Sequence, residues 1–186
     1  MKFQESPLAG AYTIELDRLE DERGFFARSY SAEEFAARGL PAAMPQSSVS
    51  FNARRGTLRG LHYQAEPHAE DKLVRCTAGA IYDVIVDLRP DSPTARRWFG
   101  VELSAANHRA LFVPKGLAHG FITLRDDTEV LYMISVPYAP GFERGLRWND
   151  PAIGIIWGIE GPAMSARDAG APLLTDVKGL PIYGSV

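Results

Sequence analysis

The 186-residue chain is short of cysteine, of long apolar runs and of charge imbalance, and each shortage removes a class of protein. Its single cysteine, Cys76, excludes an intrachain disulfide framework and any zinc site built on several cysteines. No run approaches the roughly 18 apolar residues that a membrane span needs. The opening residues, Met1-Lys2-Phe3-Gln4-Glu5, lack an apolar leader, so the expectation is a soluble, cytoplasmic protein with no membrane partner. Twenty Lys and Arg against 23 Asp and Glu leave a net charge of −3 with the signs interspersed. The concentrated basic face of a nucleic-acid binder is therefore missing, although a small pocket for one phosphorylated ligand is not excluded. A Gly-x-Gly-x-x-Gly fingerprint is also absent, and with it the usual sign of a dinucleotide redox cofactor.

What is present is an ordinary globular mix, 46% hydrophobic and 23% charged. The length suits one domain spanning residues 1–186, large enough to bury its own core. The middle of the chain reads as short strands punctuated by glycine: Gly56 to Tyr63, Leu73 to Cys76, Ala80 to Asp87, Arg97 to Leu103, Leu111 to Val113, His119 to Leu124 and Glu129 to Ser135. Turn signals such as Arg89-Pro90-Asp91-Ser92-Pro93 recur between them, which predicts an antiparallel sandwich or barrel. One early helix is predicted, opened by a capping box of Ser31 and Glu34 and ended by Gly39. From Gly154 onward the chain is rich in Gly, Pro and Ala, and reads as a packed extension rather than a second domain.

Strand parity adds something more specific. Over Ala80–Asp87 a period of two places Ile81, Asp83, Ile85 and Asp87 on one face, with Tyr82, Val84 and Val86 on the other. Two carboxylates beside two isoleucines suit a barrel interior that holds a ligand. An exposed edge face with scattered isoleucines suits them equally, and parity alone leaves both readings open.

Of the four histidines, His68 lies in a polar loop and is expected to be solvated, and His108 follows a turn at the surface. His62 and His119 each sit beside glycine in a hydrophobic strand. One such histidine is ordinarily a satisfied core residue, whereas two on separate strands favour a site. Pro114-Lys115-Gly116-Leu117-Ala118-His119 matches the second motif of cupins, and His62 with His119 raises the alternative of a metal-dependent cupin oxygenase or isomerase. The first cupin motif carries His-x-His, but the sequence here is His62-Tyr63-Gln64, so the imidazole set is broken and the metal-free reading is preferred. Arg23, Arg59, Lys72, Arg144 and Arg167 stand beside glycines or strand residues, where arginine forks suit phosphate and lysine offers a point charge. Tyr132 shares parity with Val130 and Ile134.

Five motifs in order carry a family resemblance: Asp21-Glu22-Arg23-Gly24-Phe25-Phe26, Leu58-Arg59-Gly60-Leu61-His62-Tyr63-Gln64, Lys72-Leu73-Val74-Arg75-Cys76, Ala118-His119-Gly120-Phe121 and Arg147-Trp148-Asn149-Asp150-Pro151. From about Tyr12 to about Leu174 the chain resembles the dTDP-4-dehydrorhamnose 3,5-epimerases. The resemblance implies an all-β, double-stranded β-helix barrel that works as a homodimer on a nucleotide-sugar without metal or cofactor. It implies His62 as the base that removes a proton next to the C4 ketone, with Asp168 as its partner, and Tyr132 as the acid on the opposite face. Lys72 would meet the enolate oxygen, helped by Asp83. Arg23, Phe26, Gln46, Arg59, His119, Glu143 and Arg167 would contact the substrate, and Tyr138 would stack on the nucleotide base.

Such a reaction needs a base on one face, an acid on the other and a group to meet the charge on oxygen. On a regular strand Arg59 and His62 would point to opposite faces, so the resemblance requires a bulge at Gly60. The chain also departs from the family: Arg28 replaces a glutamate, Ser47-Ser48 replaces Asp-Asn, Met133 replaces a lysine, and the segment before Gly56 is one residue longer. These departures are expected to fall on residues that hold the ligand. They leave open a CDP- or GDP-linked sugar, and inversion at C3 alone. A catalytically silent sugar-nucleotide binder is the remaining alternative.

Overall fold

The computed structural model describes residues 1–177. The elements run β1 (Lys2–Glu5), β2 (Tyr12–Glu15), β3 (Leu19–Asp21), β4 (Gly24–Phe26), α1 (Ala32–Ala36), β5 (Gln46–Asn52) and β6 (Leu58–Gln64). They continue as β7 (Lys72–Ala78), β8 (Ala80–Asp87), β9 (Trp98–Ser104), β10 (Ala110–Val113), β11 (Leu117–Thr123), β12 (Thr128–Ile134), β13 (Glu143–Gly145) and α2 (Ala166–Ala169). A six-stranded sheet in the order β1-β2-β10-β7-β12-β5 faces a five-stranded sheet in the order β13-β6-β11-β8-β9. All the named pairings are antiparallel, and the result is the expected all-β barrel of cupin type.

β8 shows why the barrel closes. Ile81 and Ile85 join Val74, Cys76, Leu111, Phe121 and Val130 in a core between the two sheets. Val84 and Val86, on the other face, pack with Leu58, Leu61 and Ile122 beneath Ile153, Trp157 and Leu174. The face shared by Ile81, Asp83, Ile85 and Asp87 is therefore the barrel interior; all four residues are wholly buried, which sets aside the exposed-edge alternative. Buried carboxylates need partners. Asp87 accepts hydrogen bonds from Arg89, Ser92 and Thr94 across the following turn. Burial pushes its carboxyl up, but those hydrogen bonds outweigh burial and hold it below the usual carboxylate range.

The segment from Leu146 to Leu174 covers the outer face of the five-stranded sheet through the apolar side chains just named, as a packed extension. Residues 178–186, which end both the tail and the expected single domain, lie outside the described residues. On the other side, Phe35 of α1 is wholly buried against Ile14, Leu73, Ala110 and Phe112 of the six-stranded sheet. Ser31 caps α1 by accepting from the Glu34 amide. The expected capping box is only half made: the Glu34 carboxylate takes the N-terminal ammonium of Met1 at 2.9 Å instead of reaching back to Ser31. The six-stranded sheet ends on the four-residue β1 at one edge and on the longer β5 at the other.

Candidate active site

β6 and β11 approach unusually closely, and this aims the site. In the antiparallel ladder His119 lies opposite His62, and Phe121 lies opposite Arg59. Two residues of β6, Gly60 and Leu61, thus oppose the single Gly120 of β11, a bulge that puts Arg59 and His62 on one face and resolves the parity conflict. Gly60 has φ +129°, and a Cβ there would lie 2.5 Å from the Gly120 Cα. Only glycine opposite glycine permits this crossing.

A cavity of about 730 Å³ opens between the sheets, walled among others by Arg59, His62, Lys72, His119, Tyr132 and Asp168. An adjoining pocket of about 240 Å³ shares His62, Lys72 and Arg167, and adds Gln46, Tyr138 and Glu143. His62 Nε2 lies 2.8 Å from Asp168 Oδ1. Asp168 comes from α2, whose N-cap Ser165 accepts from the Asp168 amide and so fixes the helix that presents the carboxylate. With Nε2–H donating to Asp168, Nδ1 is left as the basic nitrogen. Burial pushes the imidazole below its usual range, Asp168 pulls the other way by hydrogen bond and charge, and Lys72 and His119 add to the downward push. The ring is therefore neutral, and able to accept a proton, at neutral pH.

Tyr132 rises from β12 in the opposite sheet. Burial, assisted by the charge of Asp83 and opposed by Arg59, raises its hydroxyl far above the usual phenol range, so it remains a proton donor. Its ring stands edge to face with that of His119, centroids 6.0 Å apart. Arg59 is held from β5 of the facing sheet, donating from Nε to Asn52 Oδ1 at 2.7 Å. At the mouth, Tyr138 is exposed, and its backbone amide donates to Gln46 Oε1 at 3.0 Å. Glu143 accepts from the Gly141 amide and faces Arg167 at 4.0 Å.

Three expected contacts are placed elsewhere. Asp83 does not line the cavity or meet Lys72; it is wholly buried behind His119, with Oδ1 2.7 Å from His119 Nε2. The carboxylate beside Lys72 is instead Glu70, Oε1 to Nζ 3.0 Å, a partner that sequence reasoning missed. Its signal was available: residues 70 and 72 share a face of an extended chain. Arg23 and Phe26 lie on the β3–β4 hairpin, away from their own chain's cavity, where Arg23 pairs with Asp21 and Phe26 is 73% exposed. The departures are similarly scattered. Ser48 walls the cavity, but Ser47 donates to the Tyr132 carbonyl, Met133 packs with Leu73 and Phe35, and Arg28 pairs with Glu34. His68 is not simply solvated, since its ring packs against Phe142. In the two candidate metal ligands, His62 and His119, Nε2 is engaged by a carboxylate, and among the described residues no group of three His, Cys, Asp or Glu could jointly hold an ion.

Comparison with known proteins agrees with this geometry. The family described as dTDP-4-dehydrorhamnose 3,5-epimerase matches residues 5–176. A protein of that name from Sinorhizobium fredii is 42% identical over 95% of this chain and 91% of its own. Another, from Salmonella typhimurium, is 47% identical over 83% of this chain and 85% of its own. The crystal structure of the Bacillus anthracis dTDP-4-dehydrorhamnose 3,5-epimerase, with TDP and PPi bound, superposes with a TM-score of 0.90 at 44% identity, covering 93% of this chain and 99% of that one. Because the match runs almost the full described length and rests on one shared barrel, this chain belongs to the dTDP-4-dehydrorhamnose 3,5-epimerase family.

Proposed function

We propose that the protein inverts C3 and C5 of dTDP-4-dehydro-6-deoxyglucose by removing the proton beside the C4 ketone from one face and returning a proton to the other. The observation that carries this reading is the placement of a neutral, carboxylate-backed imidazole on one sheet and a strongly held phenol on the facing sheet, with one cavity between them. His62 takes the proton, Asp168 orients it and balances the imidazolium, and Tyr132 supplies the proton from across the cavity. Lys72, whose ammonium also reaches the His62 carbonyl at 3.4 Å, meets the negative charge on the C4 oxygen. Arg59 and Arg167 take the diphosphate, and the exposed Tyr138 ring offers a stacking face to the base.

The test is solvent exchange. Incubated with this substrate in heavy water, the protein is expected to introduce two deuterons into the sugar, read by mass spectrometry. Uptake of one would restrict the reaction to a single centre. No uptake with the dTDP sugar, followed by uptake with a CDP- or GDP-linked 4-keto sugar, would reassign the nucleotide.

Arg23 and Phe26 belong to this site if it is completed by a second copy of the chain. The hairpin that carries them exposes Leu19, Phe25 and Phe26, and the β5 edge exposes Val49 and Phe51. Burying both surfaces in a homodimer would remove a bare sheet edge and bring a hairpin arginine to the neighbouring cavity. A solution mass equal to one 20.4 kDa chain, measured by sedimentation at micromolar concentration, would sink this assembly.

A further inference from the structure

Double inversion carries a proton problem that single inversion lacks. Each inversion moves one proton from carbon to His62 and one from Tyr132 to carbon. It leaves an imidazolium and a phenolate. A second inversion on the same bound sugar therefore requires His62 to unload and Tyr132 to reload. The His62 side chain is 43% exposed and can pass its proton to solvent. Tyr132 is half-buried on the wall of the same cavity, where desolvation and the Asp83 charge penalise its phenolate against the pull of Arg59, so a donor standing beside it would reload it between the two inversions.

His119 occupies that place. It lies directly across the ladder from His62, its ring meets Tyr132 edge to face, and it walls the same cavity while only 4% exposed. Its Nε2 meets Asp83 at 2.7 Å, which repeats the His62–Asp168 arrangement at 2.8 Å. Asp83 is wholly buried, and no donor among the described residues reaches its Oδ2. An otherwise orphaned carboxylate is thus committed to one imidazole, a costly arrangement unless that imidazole must carry charge.

We infer that His119 and Asp83 form a second dyad, which returns a proton to Tyr132 between the two inversions. This inference rests on the epimerase reading above. In the first inversion the Tyr132 O–H bond breaks and a C–H bond forms on the sugar. A doubly protonated His119 then gives its Nδ1 proton to the phenolate, directly or through one water, and the Tyr132 O–H bond reforms. Neutral His119 takes its next proton from solvent through the cavity, while Nε2–H continues to donate to Asp83. His119 is the donor in this step, and Asp83 is a positioning residue that acts through it.

The decisive experiment is a single turnover in heavy water, with enzyme in excess over dTDP-4-dehydro-6-deoxyglucose, quenched on a millisecond series and read as singly against doubly deuterated sugar. In Asp83→Asn the ratio of second to first inversion is expected to fall about 10- to 100-fold, so that singly deuterated sugar accumulates. A merely structural role would slow both inversions alike, and an unchanged ratio overturns the dyad. If Asp83→Asn does not fold, His119→Gln is read in the same way. Wild-type protein that incorporates no deuterium overturns the epimerase reading itself. Wild type that stops at one deuteron leaves no second inversion to serve and overturns the dyad.

Discussion

His62→Ala is expected to lose both deuterium exchange and product formation, with turnover falling by about 10²–10⁴-fold. The loss should appear in kcat more than in KM, because in the proposed mechanism the imidazole acts on a proton while other residues take the diphosphate. The wild-type pH profile belongs to the same prediction. Burial holds the His62 imidazole below its ordinary value of about 6.5, so the neutral base persists into mildly acidic solution and the acid limb should lie below that value. Tyr132 is displaced upward, so no alkaline limb from loss of its proton should appear up to about pH 10. Retained exchange in the alanine variant, or an acid limb at or above the ordinary imidazole value, would move the base to another residue.

Gly60→Ala should be the most damaging small substitution in the barrel. Its methyl group would meet the Gly120 Cα at 2.5 Å and the His119 carbonyl oxygen at 2.9 Å, both backbone, at a φ of +129°. Neither strand can yield without displacing the bulge that aligns Arg59 with His62. Strain and overpacking together are expected to cost about 3–5 kcal/mol, which lowers the melting temperature by about 10 °C or more. The folded remainder should turn over more slowly than its folded fraction accounts for, because the base is re-aimed. A variant that melts with the wild type and turns over normally would show that the two strands do not meet so closely. Gly120→Ala makes a milder version of the same conflict, against the Arg59 carbonyl oxygen at 2.8 Å.

The middle strands were legible because burial writes itself into residue choice. Ala80–Asp87 was bounded correctly at both ends, and its parity already held the mixed interior face. β5 was not legible: in Gln-Ser-Ser-Val-Ser-Phe-Asn the apolar Val49 and Phe51 point outward while Ser48 and Ser50 point inward, the reverse of the usual alternation. β1 to β4 are three- or four-residue pieces, too short for any period to register. Within the site, His62 and His119 could be singled out from their own strands. The pairing of His62 with Asp168 spans 106 residues and came only through the resemblance, since no local pattern encodes such a contact. The placement of Asp83 behind His119 was lost for a related reason. Parity shows which face a carboxylate occupies but not which neighbour across the sheet claims it.

The outer cover of the five-stranded sheet has a consequence for how this enzyme can be altered. The same run of chain that lays Ile153, Trp157 and Leu174 over the barrel also carries the short helix presenting Asp168 to His62. Insulation and the carboxylate beside His62 are therefore delivered by one ribbon, anchored by Ile153, Trp157 and Leu174 on the outer face of the sheet. A protein engineer who treats this stretch as a disposable wrapper, or swaps it with that of a relative, exchanges the tuning of the base along with the coat. Conversely, a repacking at Trp157 is a handle on His62 from outside the barrel.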